Sequence, residues 1–238
     1  MSSRQVSSAL SNLIFAYNPI NCIFSNKMSN PTSSIIAGRL MDIKAIKLQP
    51  NDPFTWASGW KSPIYCDNRK ALSYPDIRTL IKCAFADLAR AKYSDIDVVA
   101  GVATGAIAQG ALVADLLQKP FIYVRSAPKD HGLANLIEGD LQEGQKVLVI
   151  EDLISTGGSS LKAVNALRDA KAEVVGMLAI FTYGFPTAAE AFEKAGVELT
   201  TLSNYNDLIA EAVKRGYVSE SDIQTLHEWR ENPSVWRQ

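Results

Sequence analysis

Apolar runs alternate with amphipathic stretches from residue 95 onward. Five runs rich in β-branched residues lie at 95–102, 121–125, 146–152, 173–183 and 197–204. Two segments between them, 104–118 and 158–170, carry apolar residues at helical spacing. Nearly continuous apolar strands that alternate with such helices are typical of a parallel sheet covered on both faces. The pattern therefore predicts an α/β fold.

The segments that precede this pattern differ from it. Residues 42–73 mix Gly, Pro, aromatic and hydroxyl residues, which indicates a small hood subdomain over the sheet. Residues 1–41 contain no Asp or Glu and are rich in Ser and Asn, so we expect a poorly ordered extension outside the fold, with a transit or signal peptide as alternatives. The predicted single domain spans 42–238, with the hood at about 42–73, the core at about 74–204 and a helical segment at about 205–238.

Composition narrows the class of protein. The chain has 238 residues and a net charge of −1, so no global field favours nucleic acid or an anionic membrane. Its three cysteines are odd in number and not spaced as ligand pairs, which favours a reduced protein over a disulfide framework or a zinc site. We expect a cytoplasmic protein that binds neither nucleic acid nor a membrane.

The stretch "KVLVIEDLISTGGSS", residues 146–160, places two carboxylates and a hydroxyl-rich turn after an apolar run. A turn of Gly, Ser and Thr at the start of a helix offers free N–H groups and a positive dipole end to an anion. The turn lacks the Walker pattern and the Gly-x-Gly-x-x-Gly fingerprint of dinucleotide-binding proteins. The turn at 155–160 therefore predicts a phosphate site of another kind.

The two carboxylates, Glu151 and Asp152, call for a ligand other than the phosphate itself. Paired carboxylates suit the vicinal hydroxyls of a ribose, either directly or through Mg²⁺. Together with a phosphate in the turn, they describe a ribose 5-phosphate. The alternative is a helix N-terminus whose acids only interact with the dipole.

This stretch resembles the phosphoribosyl pyrophosphate (PRPP) motif of type I phosphoribosyltransferases. The resemblance implies a central, mainly parallel five-stranded sheet flanked by helices, with an N-terminal hood. It also implies a pentosyltransferase reaction with Mg²⁺, in which a nitrogen base displaces pyrophosphate from C1 of PRPP.

Two further segments resemble orotate phosphoribosyltransferases. "FTWASGWKSPIYCDNR" (54–69) is similar to their amino-terminal signature, and "YVRSAPKDHG" (123–132) to their mobile catalytic loop. The resemblance covers about residues 42–231. It implies conversion of orotate and PRPP to orotidine 5′-monophosphate and pyrophosphate, a step of pyrimidine (UMP) biosynthesis.

The resemblance also implies roles for individual residues. Lys129, His131 and Asp152 would be catalytic, and Asp130 would accompany them; the loop would come from the partner subunit of a homodimer. Mg²⁺ would be held through the substrate, with Glu151 and Asp152 as candidate ligands. The implied PRPP-binding residues are Arg125, Lys129, His131, Glu151, Asp152, Ser155, Thr156, Gly157, Gly158, Ser159, Thr104 and Gly105.

The implied orotate site is less complete. Tyr65 and Cys66 match the base-recognition stretch, and Ser155 matches a hydroxyl position near the orotate carboxylate. Three positions depart from the pattern: Ala57 and Ser126 stand where some members have lysine, and Tyr183 where some have arginine. Lys61 or Arg69 could replace the lysine that is missing at Ala57, although Asp67 and Arg69 could also simply pair with each other.

Two other functions share these motifs. One is transfer to another base, such as a purine, and the hood signature disfavours it. The other is a PRPP-binding regulator of the same fold; such regulators usually carry a nucleic-acid-binding surface, whereas this chain is nearly neutral and keeps Lys129, Asp130 and His131.

Overall fold

The computed structural model describes residues 31–56, 58–127 and 136–237. Its helices and strands alternate in the core as predicted, and a 3₁₀ helix (Asn68–Ser73) lies between the hood and the core. The elements in chain order are α1 (Pro31–Asp42), β1 (Ile46–Leu48), β2 (Phe54–Thr55), β3 (Lys61–Ser62), β4 (Ile64–Cys66), α2 (Pro75–Lys92), β5 (Val98–Val102), α3 (Ile107–Leu117), β6 (Phe121–Val124), β7 (Ile137–Glu138), β8 (Lys146–Ile154), α4 (Gly158–Asp169), β9 (Glu173–Thr182), α5 (Pro186–Ala195), β10 (Leu199–Asn204), α6 (Tyr205–Lys214) and α7 (Asp222–Glu231).

The central sheet has six strands in the order β10-β9-β8-β5-β6-β7. The five predicted strands pair in parallel, which confirms the α/β fold with a mainly parallel sheet. The sixth strand, β7, pairs antiparallel with β6 at the edge. With only two residues, β7 has no periodic pattern that a sequence could reveal.

Strand β8 is the central element of the site. Val147 to Ile150 are fully buried, as expected for a strand covered on both faces. The expectation that the strand ends at the acidic pair is wrong, because pairing with β9 continues to Ile154. Pairing with β5 stops earlier, at Ile150 opposite Gly101. The acidic pair therefore lies where β8 has a neighbour on one side only.

The hood consists of two small antiparallel sheets, β1–β4 and β2–β3. Aromatic rings attach it to the core: Trp56 of the hood lies 5.2 Å from Tyr183 and 5.6 Å from Trp229, centroid to centroid. The indole N–H of Trp229 also donates to the carbonyl of Lys61 at 3.2 Å. Burial of such rings, together with this hydrogen bond, holds the hood beside the carboxyl ends of the strands.

The expectation that residues 1–41 lie outside the fold is wrong for its last part. Residues 31–41 belong to α1, in which Ile36, Ala37 and Leu40 are at most 1% exposed. They belong to the main core cluster, and Arg215 next to α6 bonds to Asp42 at 3.0 Å. Segment composition misses this because a single buried face is enough to attach a helix. Residues 1–30 lie outside the described part of the chain.

Composition led us to expect a reduced protein that does not bind a membrane, and two structural observations concern these expectations. Among the described residues, Cys66 is a free thiol. Among the residues that the structure describes, no helix combines the length and apolar character needed to cross a membrane.

Replacement of Leu40 by alanine tests whether α1 belongs to the core. Leu40 is fully buried, so Leu40→Ala should lower the free energy of unfolding by about 2–5 kcal/mol through lost burial and a cavity. Arg39→Ala, one position away on the exposed face, is the matched control and should change stability by less than about 0.5 kcal/mol. Equal effects of the two changes in urea titrations would contradict the placement of α1.

Candidate active site

A cavity of about 480 Å³ opens at the carboxyl ends of β5 and β8. It joins segments that are far apart in sequence: the end of the hood, the loop after β5, the acidic pair and the turn before α4. Its lining residues are Cys66, Asp67, Arg69, Val102, Ala103, Thr104, Gly105, Glu151, Asp152, Leu153, Ser155, Thr156, Gly157, Gly158 and Ser159. Ligands of open parallel sheets bind at this edge, so the position agrees with the sequence analysis.

Asp152 lies against the loop that follows β5. A Cβ atom added to Gly105 would collide with the Asp152 carboxylate, so a larger residue here would displace that carboxylate. The peptide bond between Ala103 and Thr104 in the same loop is cis. The structure thus brings Thr104, Gly105 and Asp152 together on one wall of the cavity, as the motifs imply.

Glu151 occupies a different environment from its neighbour. It is 4% exposed, and its carboxylate accepts hydrogen bonds from Ser160 Oγ at 2.8 Å and from the Asp152 N–H at 2.9 Å. Burial, followed by the nearby charge of Asp152, raises the pKa of Glu151 to about 8. Glu151 therefore lies at the back of the cavity and keeps a proton at neutral pH, whereas Asp152 is half-buried and faces the cavity.

The turn at 155–160 has the geometry of an anion site. Gly157 adopts φ 82°, a left-handed conformation that favours glycine, and α4 begins at Gly158. No side chain in the described part of the chain caps this helix N-terminus. The first N–H groups of α4 are therefore available, beside the hydroxyls of Ser155, Thr156 and Ser159, to bind a phosphate.

The hood forms the opposite wall. Burial, and after it the charges of Asp152 and Asp67, raises the pKa of the Cys66 thiol, which therefore stays protonated. Arg69 Nε donates to Asp67 Oδ1 at 2.6 Å, so these two residues do pair with each other. Tyr65 is 39% exposed and packs on Phe54 at 5.7 Å.

Three residues discussed for the orotate site, Tyr65, Lys61 and Tyr183, do not line this cavity. Lys61 lies on β3, where its Nζ donates to Thr55 Oγ1 at 2.9 Å. Tyr183 follows β9 and is 3% exposed, stacked on Phe185 at 5.5 Å. Because the hood hairpin holds Lys61 and the aromatic cluster holds Tyr183, neither side chain reaches the cavity wall in this conformation.

The structure describes only the first residues of the predicted catalytic loop. Arg125 pairs with Glu138 at 3.5 Å and lines a neighbouring cavity of about 750 Å³, together with Ser126. That larger cavity lacks the acidic pair, so the smaller one is the better candidate active site. Lys129, Asp130, His131 and Ala57 lie outside the described residues.

Two site residues escaped the sequence analysis. Asn68 is 2% exposed, and its Nδ2 donates to the carbonyl of Asp152 at 2.6 Å. Ser160 is 1% exposed and bonds to Glu151. Both stand inside motifs quoted above, but a motif does not reveal which of its polar side chains face inward.

Comparisons with known proteins agree with this geometry. The family profile described as "Phosphoribosyl transferase domain" matches residues 73–198. The chain is 61% identical over 202 residues to orotate phosphoribosyltransferase of Porphyromonas gingivalis (85% of this chain, 96% of the relative) and 55% identical over 202 residues to that of Cytophaga hutchinsonii (85% and 97%).

Solved structures of similar fold include orotate phosphoribosyltransferase of Aeropyrum pernix, with a TM-score of 0.67, 28% identity and coverage of 77% of this chain and 99% of that one. The Mycobacterium tuberculosis enzyme in complex with PRPP is similar with a TM-score of 0.59, 29% identity and coverage of 75% and 99%. The parallel sheet with a phosphate turn beside an acidic pair is the architecture of a phosphoribosyltransferase. Within that class, the chain belongs to the orotate phosphoribosyltransferase family.

Replacement of Glu151 by glutamine tests the raised pKa. The folded chain keeps the proton up to about pH 8, while the unfolded chain ionises near 4.5. The stability contributed by this group is thus fully present below 4.5 and lost as the pH rises through 8. Relative to Glu151→Gln, the wild type should therefore lose free energy of unfolding between about pH 5 and pH 9.

The matched control is Glu193→Gln on α5, an exposed glutamate whose replacement should leave the pH profile of stability unchanged. The measurement is denaturant unfolding of all three proteins across this pH range. Parallel profiles of the wild type and Glu151→Gln would show that Glu151 titrates normally.

Proposed function

We propose that the chain transfers the 5-phosphoribosyl group of PRPP to orotate, with release of pyrophosphate, in pyrimidine biosynthesis. The observation that carries this proposal is the single cavity that joins the acidic pair, the phosphate turn and the hood signature. Family membership at 61% identity supports the choice of orotate over other bases.

The ribose 5-phosphate portion fits between β8 and α4. The phosphate binds the free N–H groups at the start of α4, with hydroxyls of the turn as further donors. The Asp152 carboxylate faces the cavity and accepts hydrogen bonds from the ribose hydroxyls. Glu151 contributes indirectly, because its hydrogen bonds to Ser160 and to the Asp152 N–H stiffen the strand behind Asp152.

The base lies towards the hood. Cys66 lines the cavity at the end of strand β4, whose backbone groups can pair with the edge of a planar base. Ser155 is the hydroxyl available to the orotate carboxylate. Of the two candidate cations, Arg69 lines the cavity and Lys61 does not, which favours Arg69 as the charge that attracts orotate.

Mg²⁺ fits this site as an ion bound mainly by the substrate. Within the described ranges, no group of three or more His, Cys, Asp and Glu side chains could hold a metal ion. Asp67, Glu151 and Asp152 line the cavity, but Asp67 pairs with Arg69 and Glu151 is buried. Asp152 is therefore the best-placed carboxylate for Mg²⁺, which commonly binds through one or two carboxylates plus phosphate oxygens. When bound, it would neutralise charge on the diphosphate.

The reaction then requires positioning and charge stabilisation rather than a protein nucleophile. Positive charge develops on the ribose as pyrophosphate departs, and the nearby Asp152 carboxylate stabilises it. The Thr104–Gly105 loop offers backbone donors to the diphosphate. Lys129 and His131 supply the cationic groups in this proposal, assisted by Asp130.

The same loop supports a homodimer with shared active sites. Arg125, at the start of the loop, faces the neighbouring cavity instead of the one that holds Asp152. In a twofold dimer, a loop that starts beside this cavity can serve the site of the partner.

An assay of the purified protein with PRPP, Mg²⁺ and a panel of bases tests the reaction. Pyrophosphate release should require orotate, and Asp152→Asn should lower PRPP use about tenfold to a hundredfold through lost charge-assisted hydrogen bonds. The matched control is Asp115→Asn on the exposed face of α3, which should retain activity. Turnover of adenine or hypoxanthine without orotate would refute the choice of base, and PRPP binding without turnover would favour a regulator.

Mixing two inactive variants tests the shared site. Lys129→Ala and Asp152→Asn should each be nearly inactive, but their heterodimer contains one site with both defects and one with none. Activity should return to about a quarter of that of the wild type in a randomly mixed pool. If verified subunit exchange restores no activity, the loop acts in its own subunit.

A further inference from the structure

The side chain of Asn68 connects the hood to the strand of the acidic pair. Asn68 is 2% exposed and begins the 3₁₀ helix that follows the hood. Its Nδ2 donates to the carbonyl of Asp152 at 2.6 Å, across a sequence separation of 84 residues. Its Oδ1 accepts a hydrogen bond from the Cys66 thiol at 3.3 Å. Both ends of this buried amide therefore have a partner.

The bond to Asp152 lies where the sheet no longer constrains β8. Pairing with β5 ends at Ile150 opposite Gly101, two residues before Asp152. Beyond this point the Asn68 amide supplies the donor for the Asp152 carbonyl. A buried carbonyl deprived of its donor is costly, so the amide fixes the orientation of this peptide group.

The orientation of that peptide matters because the Asp152 side chain has little room. Its carboxylate lies directly against Gly105, where even a methyl group would collide with it. A rotation of the Asp152 backbone would move the carboxylate away from this position or into the loop. The site therefore needs a rigid backbone at Asp152, and Asn68 provides a bond from outside the sheet.

We propose that Asn68 is a positioning residue that holds the Asp152 carboxylate in place for the ribose hydroxyls. Asn68 touches no substrate in this arrangement and acts only through Asp152. The proposal deepens the proposed function and rests on it, since it assumes that Asp152 binds the ribose. The thiol of Cys66 completes the chain of hydrogen bonds and orients the amide with its Nδ2 towards Asp152.

Ligand binding to the wild type and to variants separates positioning from a general structural role. The probes are ribose 5-phosphate, 2-deoxyribose 5-phosphate and inorganic phosphate, measured by calorimetry. All three contain the phosphate for the turn at 155–160, but only ribose 5-phosphate has both vicinal hydroxyls. We expect the wild type to prefer it over the deoxy compound by about tenfold or more, as charge-assisted hydrogen bonds predict.

The expected result is a selective loss. Asn68→Ala should reduce the preference for ribose 5-phosphate to less than about threefold, with the affinity for inorganic phosphate unchanged, and Asp152→Asn should have the same effect. Asn165→Ala, the same change at an exposed position of α4, is the matched control and should keep the wild-type preference. Asn68→Asp, which keeps the shape but removes the donor, should behave like Asn68→Ala.

Three outcomes would overturn the proposal. The preference could survive in folded Asn68→Ala and Asn68→Asp while Asp152→Asn loses it. All three affinities could fall together, or neither variant could fold, which would assign Asn68 a purely structural role. A wild type without any preference for the ribose hydroxyls would instead contradict the proposed function itself, so the two failures are distinguishable.

Discussion

The candidate site depends on the unequal pairing of β8 with its two neighbours. The strand pairs with β9 as far as Ile154 but with β5 only as far as Ile150. Beyond Ile150, β8 has no partner strand on the β5 side, which leaves a gap at the carboxyl end of the sheet. The loop after β5 and the hood line this gap. Asp152 lies in that gap, against Gly105 on one side and held by Asn68 on the other. The phosphate turn and the acidic pair are adjacent because the turn directly follows the strand that carries the pair.

The neighbouring acids Glu151 and Asp152 differ in their environment, because Glu151 is buried and Asp152 is only half-buried. Glu151 is enclosed behind the strand and keeps its proton at neutral pH, whereas Asp152 faces the cavity. The site thus contains less negative charge than its sequence suggests. This difference suits the proposed substrate, because a second ionised carboxylate would repel a polyanion such as PRPP. Serine at position 160 supports this arrangement by donating to Glu151.

Aromatic packing outside the cavity holds the hood in place beside the site. Trp56, Tyr183, Phe185 and Trp229 form one aromatic cluster, so the hood, the end of β9 and α7 are joined by buried rings. This cluster explains why Tyr183 occupies a position where some relatives have a charged residue: a cation there would have to be buried among rings. In the proposed function, the orotate carboxylate is bound instead by Arg69 and Ser155, which line the cavity.

The parallel sheet, the Gly-Ser-Thr turn, the acidic pair and the family could be predicted from the sequence, because strand periodicity and motifs are local features. The place of α1 in the core, the orientation of Lys61 away from the cavity and the bond from Asn68 to Asp152 became visible only in the folded chain. Each of these depends on contacts between distant segments: α1 packs beside α6, Lys61 is held within the hood hairpin, and 84 residues separate Asn68 from Asp152. Residue types alone do not specify such contacts, since burial and hydrogen bonding are properties of the packed chain.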